Sequence, residues 1–227
     1  MSVVDLLPIA LLGAVLGMDV VTFPQAMISR PIVAATAAGA FLGNAPAGLV
    51  MGAVLELLAL EMLPFGASRY PEWGSASVVG GALFASQFSQ PAGALTVSLL
   101  AALVTAMLSG KSMVWQRRLN ATRARRERVK LERGSSSAVT SLQLFGLTGD
   151  LVRGFLVTLL AMVAFGAVID PIVSTWGVDA RLSRGAVVAM CAAVSAGAIW
   201  KIFHSVPRAR LLFITGLALG AFLLVTE

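Results

Sequence analysis

Five apolar runs, residues 3–21, 91–108, 151–169, 184–203 and 208–225, each come close to the length a helix needs to cross a bilayer, about 20 residues at 1.5 Å per residue. In hydrocarbon a segment must satisfy its own backbone polar groups, and a helix does so internally. The expected fold is therefore an all-α polytopic integral membrane protein. Composition agrees, with a mean hydropathy of +0.88 and 12% charged residues, against about 25% in soluble domains. The first run carries Asp5 and has no Lys or Arg before it, so it reads as a retained helix rather than a cleaved signal.

Between the first two runs, residues 31–86 are apolar but repeatedly broken, into pieces at 32–42, 48–63 and 75–84. Each piece is too short or too interrupted for a comfortable span. Irregular backbone at membrane depth is tolerated only inside protein or beside a wet cavity. This region is expected to form re-entrant or discontinuous helices packed within the molecule. Gly13 and Gly17, Gly39 and Gly43, and Gly48 and Gly52 are each four residues apart, a spacing that lets helix backbones approach closely.

The net charge of +6 has one source. Nine Lys/Arg and two Glu lie between Lys111 and Arg133, so that segment holds +7 and the rest of the chain −1. Between membrane spans such a run marks the cytoplasmic side, and nucleic-acid binding is not expected. The segment lacks Gly and Pro and reads as a helix at the cytoplasmic surface, followed by a flexible linker at residues 134–137 and a weakly apolar interfacial stretch at 139–147. The resulting division is an N-terminal transmembrane region with broken helices (1–110), a basic cytoplasmic segment and linker (111–137), and C-terminal transmembrane helices (138–227).

Glu56 stands in the run GLVMGAVLELLAL. A carboxylate in hydrocarbon costs from ~3 kcal/mol upward, so it faces a cavity or a partner. Glu61 lies five residues on, about 140° around a helix, near the segment's end and near water. The polar break at residues 66–72 contains Arg69, Tyr70, Pro71 and Glu72. An acid followed by a Gly/Pro-broken polar segment is how transporters build a substrate site near the midplane, although the same residues would serve an external loop. Asp19 and Gln25 bracket a break marked by Thr22 and Pro24; Asp19 either binds a substrate hydroxyl or caps a segment. Arg30 pairs with a carboxylate, snorkels or marks a hinge. Asn44 follows Gly43 at a turn. His204, the single histidine, has no partner at catalytic spacing, and the single cysteine, Cys191, forms no metal site alone. No nucleotide-binding motif is present, and no cofactor is expected.

Residues 29–72 resemble the IIC subunit of the mannose/fructose/sorbose family of bacterial phosphotransferase systems. The resemblance rests on Arg30-Pro31-Ile32-Val33, Leu42-Gly43-Asn44, Gly52-Ala53-Val54-Leu55-Glu56-Leu57, Gly66-Ala67 and Pro71-Glu72. It covers about the first 90 residues; the rest fits in layout. It implies a multi-pass permease subunit of the bacterial inner membrane that works with a IID membrane partner. Cytoplasmic IIA and IIB proteins relay phosphate from phosphoenolpyruvate, and IIB phosphorylates the sugar. Carried over by position, Glu56 matches the family's acid after the Gly-rich segment. Glu72 stands where Asp is usual, Asn44 where Asp is usual, Pro64 where Asn is common, Ser29 where His is common, and Gln25 two positions before the family's Gln. The expected site holds a hexose-type sugar by Glu56, Glu72, Asn44, Asp19 and Gln25, with residues 34–84 as a mobile element. Oligomerisation and lipid contact are also expected. The residues leave two other classes open: an ion- or proton-coupled solute transporter, and a membrane scaffold that does not transport.

Overall fold

The computed structural model describes residues 3–60, 70–204 and 206–226. Glu61, Pro64, Gly66, Ala67 and Arg69 lie outside the described residues. Every regular element among the described residues is helical. In chain order these are α1 (Val3–Met18), α2 (Pro31–Phe41), α3 (Ala45–Ala59), α4 (Trp73–Ser86), α5 (Ala94–Arg126), α6 (Arg128–Glu132), α7 (Ser136–Ser174), α8 (Ala180–Phe203) and α9 (Ala209–Thr226).

The broken region consists of three short helices, α2, α3 and α4, of 11, 15 and 14 residues. Local chemistry sets their ends. Pro31 occupies the first turn of α2, where its missing N–H costs nothing. Gly43 takes φ +77° at the α2–α3 turn, a conformation that glycine adopts without steric cost. Asn44 then caps α3, its side chain accepting from the Ala47 N–H at 3.3 Å. Helices α2 and α3 thus form a tight hairpin. A Cβ on Gly48 would lie 2.4 Å from the Ala35 carbonyl oxygen and 2.9 Å from Gly39 Cα, so only glycine permits this approach. Helix α4 packs against the hairpin on one side and against α1, α5 and α7 on others, and most of its residues are buried. It is the centre of the molecule although it is too short to span a bilayer.

Three described helices, Ala94–Arg126, Ser136–Ser174 and Ala180–Lys201, are long and apolar enough to cross a membrane. Helix α1, read as a span from its composition, has 16 residues, because the chain turns at residues 19–30 to enter α2. The basic segment is helical, as its composition suggests, but it is no separate surface helix. It continues α5 without a break to Arg126. The stretch at 134–137 is also not a flexible linker: Gly134 turns with φ +72°, and Ser135 caps α7 by accepting from the Ala138 N–H at 3.4 Å. Residues 139–147 are the start of α7, a 39-residue helix. At 1.5 Å per residue, α5 and α7 are roughly 50 and 58 Å long and pack against each other as a hairpin.

Candidate functional site

The end of α1 and the start of α4 meet through small residues. A Cβ on Gly74 would lie 2.7 Å from the Leu16 carbonyl oxygen, and one on Gly17 would lie 2.5 Å from Ser75 Oγ. This contact brings the loop after α1 beside the segment that leads into α4. That segment is held against α5: the Glu72 N–H donates to the Ala106 carbonyl at 3.0 Å, and the Tyr70 carbonyl lies 2.3 Å from where a Cβ on Gly110 would stand.

A cavity of about 380 Å³ opens where these pieces converge, its polar lining supplied by Asp19, Gln25, Ser29, Arg30, Tyr70 and Trp73. Asp19 is 2% exposed. One carboxylate oxygen accepts from the Ala26 N–H at 2.6 Å, and the other from the Ser29 N–H at 3.0 Å and the Ser29 hydroxyl at 2.9 Å. Asp19 therefore folds the loop that forms one wall of the cavity. Gln25 is exposed, with φ +60°, and donates to the Val21 carbonyl at 3.0 Å, leaving its own carbonyl oxygen available. Trp73 Nε1 is buried and has no hydrogen-bond partner among the described residues. A buried donor without an acceptor is costly, about 1–3 kcal/mol.

Glu72 is fully buried behind the cavity. It caps α4 by accepting from the Ser75 N–H at 3.0 Å, and its second oxygen accepts from the Ser109 hydroxyl at 2.7 Å. Ser109 continues the chain, accepting at 2.9 Å from Arg153 Nη1. Arg153 Nε donates to Asp150 Oδ1 at 2.8 Å, and Asp150 Oδ2 accepts from the Thr22 hydroxyl. A polar network thus runs from the cap of α4 through α5 and α7 to the loop after α1. Asp150 and Arg153 are each 7% exposed. Neither is among the residues singled out from sequence. Their acid–Arg spacing of i, i+3 on one helical face was the available signal.

Glu56 forms an ion pair with Arg30, and its second oxygen accepts from the Ile32 N–H at 3.2 Å. It holds the start of α2 against α3, and it reaches the cavity only through Arg30. Asn44 stands apart. Its amide donates to the Ala85 carbonyl at 3.2 Å, at the opposite end of α4 from Glu72. Thirteen residues at 1.5 Å separate those ends by roughly 20 Å, too far for one monosaccharide to touch both. The expected five-residue site is therefore divided. Asp19 and Gln25 share the cavity, Glu72 and Glu56 support its walls, and Asn44 closes the distant hairpin turn.

A model of the family described as PTS system sorbose-specific IIC component matches residues 3–189. A PTS system sorbose-specific EIIC component from Klebsiella pneumoniae is 30% identical over 82 residues, covering 36% of this chain and 30% of that relative's length. The family match takes in the broken helices, the cavity they frame and the network behind it, and it agrees with long apolar helices built for a membrane. This multi-pass membrane chain belongs to the sorbose-specific IIC component family of the phosphotransferase system.

Proposed function

We propose that the chain is the sugar-translocating IIC subunit of a phosphoenolpyruvate-dependent phosphotransferase permease, moving a hexose-type sugar by alternating access. The observation that carries this reading is the 380 Å³ cavity framed by helices too short to span a bilayer. It falls within the roughly 300–1,000 Å³ typical of small-ligand sites. Its lining residues combine two aromatic rings with a guanidinium, an amide and hydroxyl groups, a donor and acceptor set suited to sugar hydroxyls. Asp19 and Gln25 are the assigned sugar-side residues, with Trp73 as an added donor. Glu72 and Glu56 act by positioning α4 and α2.

In this reading the α2–α4 unit moves against α5 and α7, exposing the cavity to each side in turn. A IID subunit completes the sugar path, and a IIB protein, charged by IIA, transfers phosphate to the sugar at the cytoplasmic face. The IIC chain itself carries no phosphate. Oligomer contacts use the exposed apolar faces of α8 and α9.

The test is phosphoenolpyruvate-dependent uptake in membrane vesicles that hold this chain, its IID partner and the relay proteins. Accumulation of sugar phosphate, reduced by Trp73→Phe, is the expected result. Accumulation of free sugar that collapses with an uncoupler and ignores phosphoenolpyruvate would replace this reading with an ion-coupled one.

A further inference from the structure

The loop after α1 has two faces. Asp19 and Val20 line the cavity described above, whereas Val21, Thr22 and Phe23 line a second cavity of about 520 Å³. Arg117 completes the partition. It lines the second cavity, and its Nη2 donates at 2.7 Å to the hydroxyl of Tyr70, which lines the first. The second cavity lies further along α5. Glu72 meets α5 at Ala106, whereas Gln116 and Asn120 line the second cavity, roughly 15 Å nearer the cytoplasmic end at 1.5 Å per residue. The basic extension of α5 puts this end on the cytoplasmic side.

We propose that this second cavity is an exit-side sugar site, occupied after the sugar passes the partition; the proposal rests on the reading of the chain as a sugar permease. Its chemistry is that of polyol recognition. Gln116, 7% exposed, donates from Nε2 to Asn120 Oδ1 at 3.2 Å, which orients the two amides and leaves Gln116 Oε1 and Asn120 Nδ2 without a hydrogen bond among the described residues. Gln143, exposed at the rim, adds a third amide with no hydrogen bond among the described residues. Alternating amide donors and acceptors match hydroxyl groups that both donate and accept. Phe23 is 65% exposed and supplies the apolar surface that such pockets pair with a few polar groups.

The floor of the cavity ties the second site to the first. Asp150 lines it, and its Oδ2 is held by the Thr22 hydroxyl. A sugar hydroxyl can take the place of Thr22 on that oxygen. The exchange frees the loop from α7, and the same loop carries Asp19 in the first cavity. Occupancy of the exit site is thereby linked to the shape of the entry site.

The experiment uses the full chain in membranes with Cys191→Ser, which removes the single cysteine. Reporter cysteines are placed one at a time as Met27→Cys in the first cavity and Leu142→Cys in the second, at lining positions that hold no sugar-binding group. Maleimide labelling is timed with D-mannose, D-fructose or L-sorbose, and with glycine betaine as the control osmolyte. At twice its Kd, a sugar that shields a thiol slows labelling about threefold, since one third of sites stay free. The expected result is protection of both reporters, with Gln116→Leu abolishing protection at Leu142→Cys and keeping it at Met27→Cys. Protection at Met27→Cys with unchanged labelling at Leu142→Cys overturns the exit site and leaves the permease reading intact. Protection at Leu142→Cys that survives Gln116→Leu also overturns the proposed site. Protection at neither reporter overturns the permease reading and the exit site together.

Discussion

Glu56 on α3 and Arg30 at the head of α2 form an ion pair, and the same carboxylate accepts from the Ile32 N–H at 3.2 Å. One acid therefore neutralises a cation that lines the first cavity and satisfies a backbone donor in the first turn of α2, where a carboxylate also complements the helix dipole. The side chains are 36% and 18% exposed, so the pair is partly wetted.

Removing either charge leaves the other poorly compensated. Glu56→Gln and Arg30→Gln are each expected to lower thermal stability in detergent and to reduce sugar uptake while membrane insertion is retained. The double variant recovers part of the stability, with a coupling energy on the order of 1 kcal/mol, held down by solvent screening of the guanidinium. Strict additivity of the two single variants would remove the ion pair from this account.

The Asp150–Arg153 pair lies deeper, with side chains 10% and 6% exposed. Breaking a buried pair by removing one partner typically costs about 3–5 kcal/mol. Asp150→Asn or Arg153→Met should therefore destabilise the chain more than any change at Glu56, while the double replacement is milder than either alone. Thermal melting of the four proteins in one detergent makes the comparison. Equal melting temperatures across the set would place the pair in a wetter setting than the one described.

Gly48→Ala and Gly166→Ala are expected to move in opposite directions. At Gly48 the new Cβ meets the Ala35 backbone at 2.4 Å, and backbone cannot swing aside; at Gly166 it meets nothing within 4 Å. Forcing the α2–α3 hairpin apart should cost about 1–3 kcal/mol or more. In α7 the alanine should add roughly 0.5–1 kcal/mol through helix propensity. Melting temperatures again give the readout, and a harmless Gly48→Ala would mean that the hairpin tolerates a wider separation.

Trp73→Phe keeps the ring and removes the buried indole N–H. The fold should be unaffected or slightly more stable, because an unpartnered donor disappears. Sugar affinity should fall about two- to tenfold, the equivalent of one hydrogen bond worth about 0.5–1.5 kcal/mol. Equilibrium binding of radiolabelled sugar to purified protein measures this, and unchanged affinity would take Trp73 out of the site.

Much of the architecture could be read from local patterns. The pieces 32–42, 48–63 and 75–84 correspond to α2, α3 and α4, because proline, glycine and capping residues act within a few positions of themselves. The basic run was legible as a helix for the same reason. Its continuity with α5 was not, since a change from apolar to charged residues alters the solvent around a helix and leaves its backbone hydrogen bonding unaffected. The serines after Gly134 read as a linker because Ser is common in both linkers and caps; the Ser135 hydrogen bond to Ala138 decides between them.

The candidate site divides along the same line. From residue order alone, an acid at position 56 inside an apolar run had to find a partner, and the break at residues 66–72 had to lie within protein or beside water, because lipid satisfies neither. Which partner each polar group finds is a property of the packed structure. Thr22 meets Asp150 across 128 positions, Ser109 meets Glu72 across 37, and Arg30 meets Glu56 across 26. The glycine contacts between α1 and α4 decide that Asp19 and Trp73 border one cavity, and the length of α4 decides that Asn44 does not. Hydropathy and capping are written within a few residues, whereas the geometry of a binding site depends on contacts that exist only after distant helices have packed.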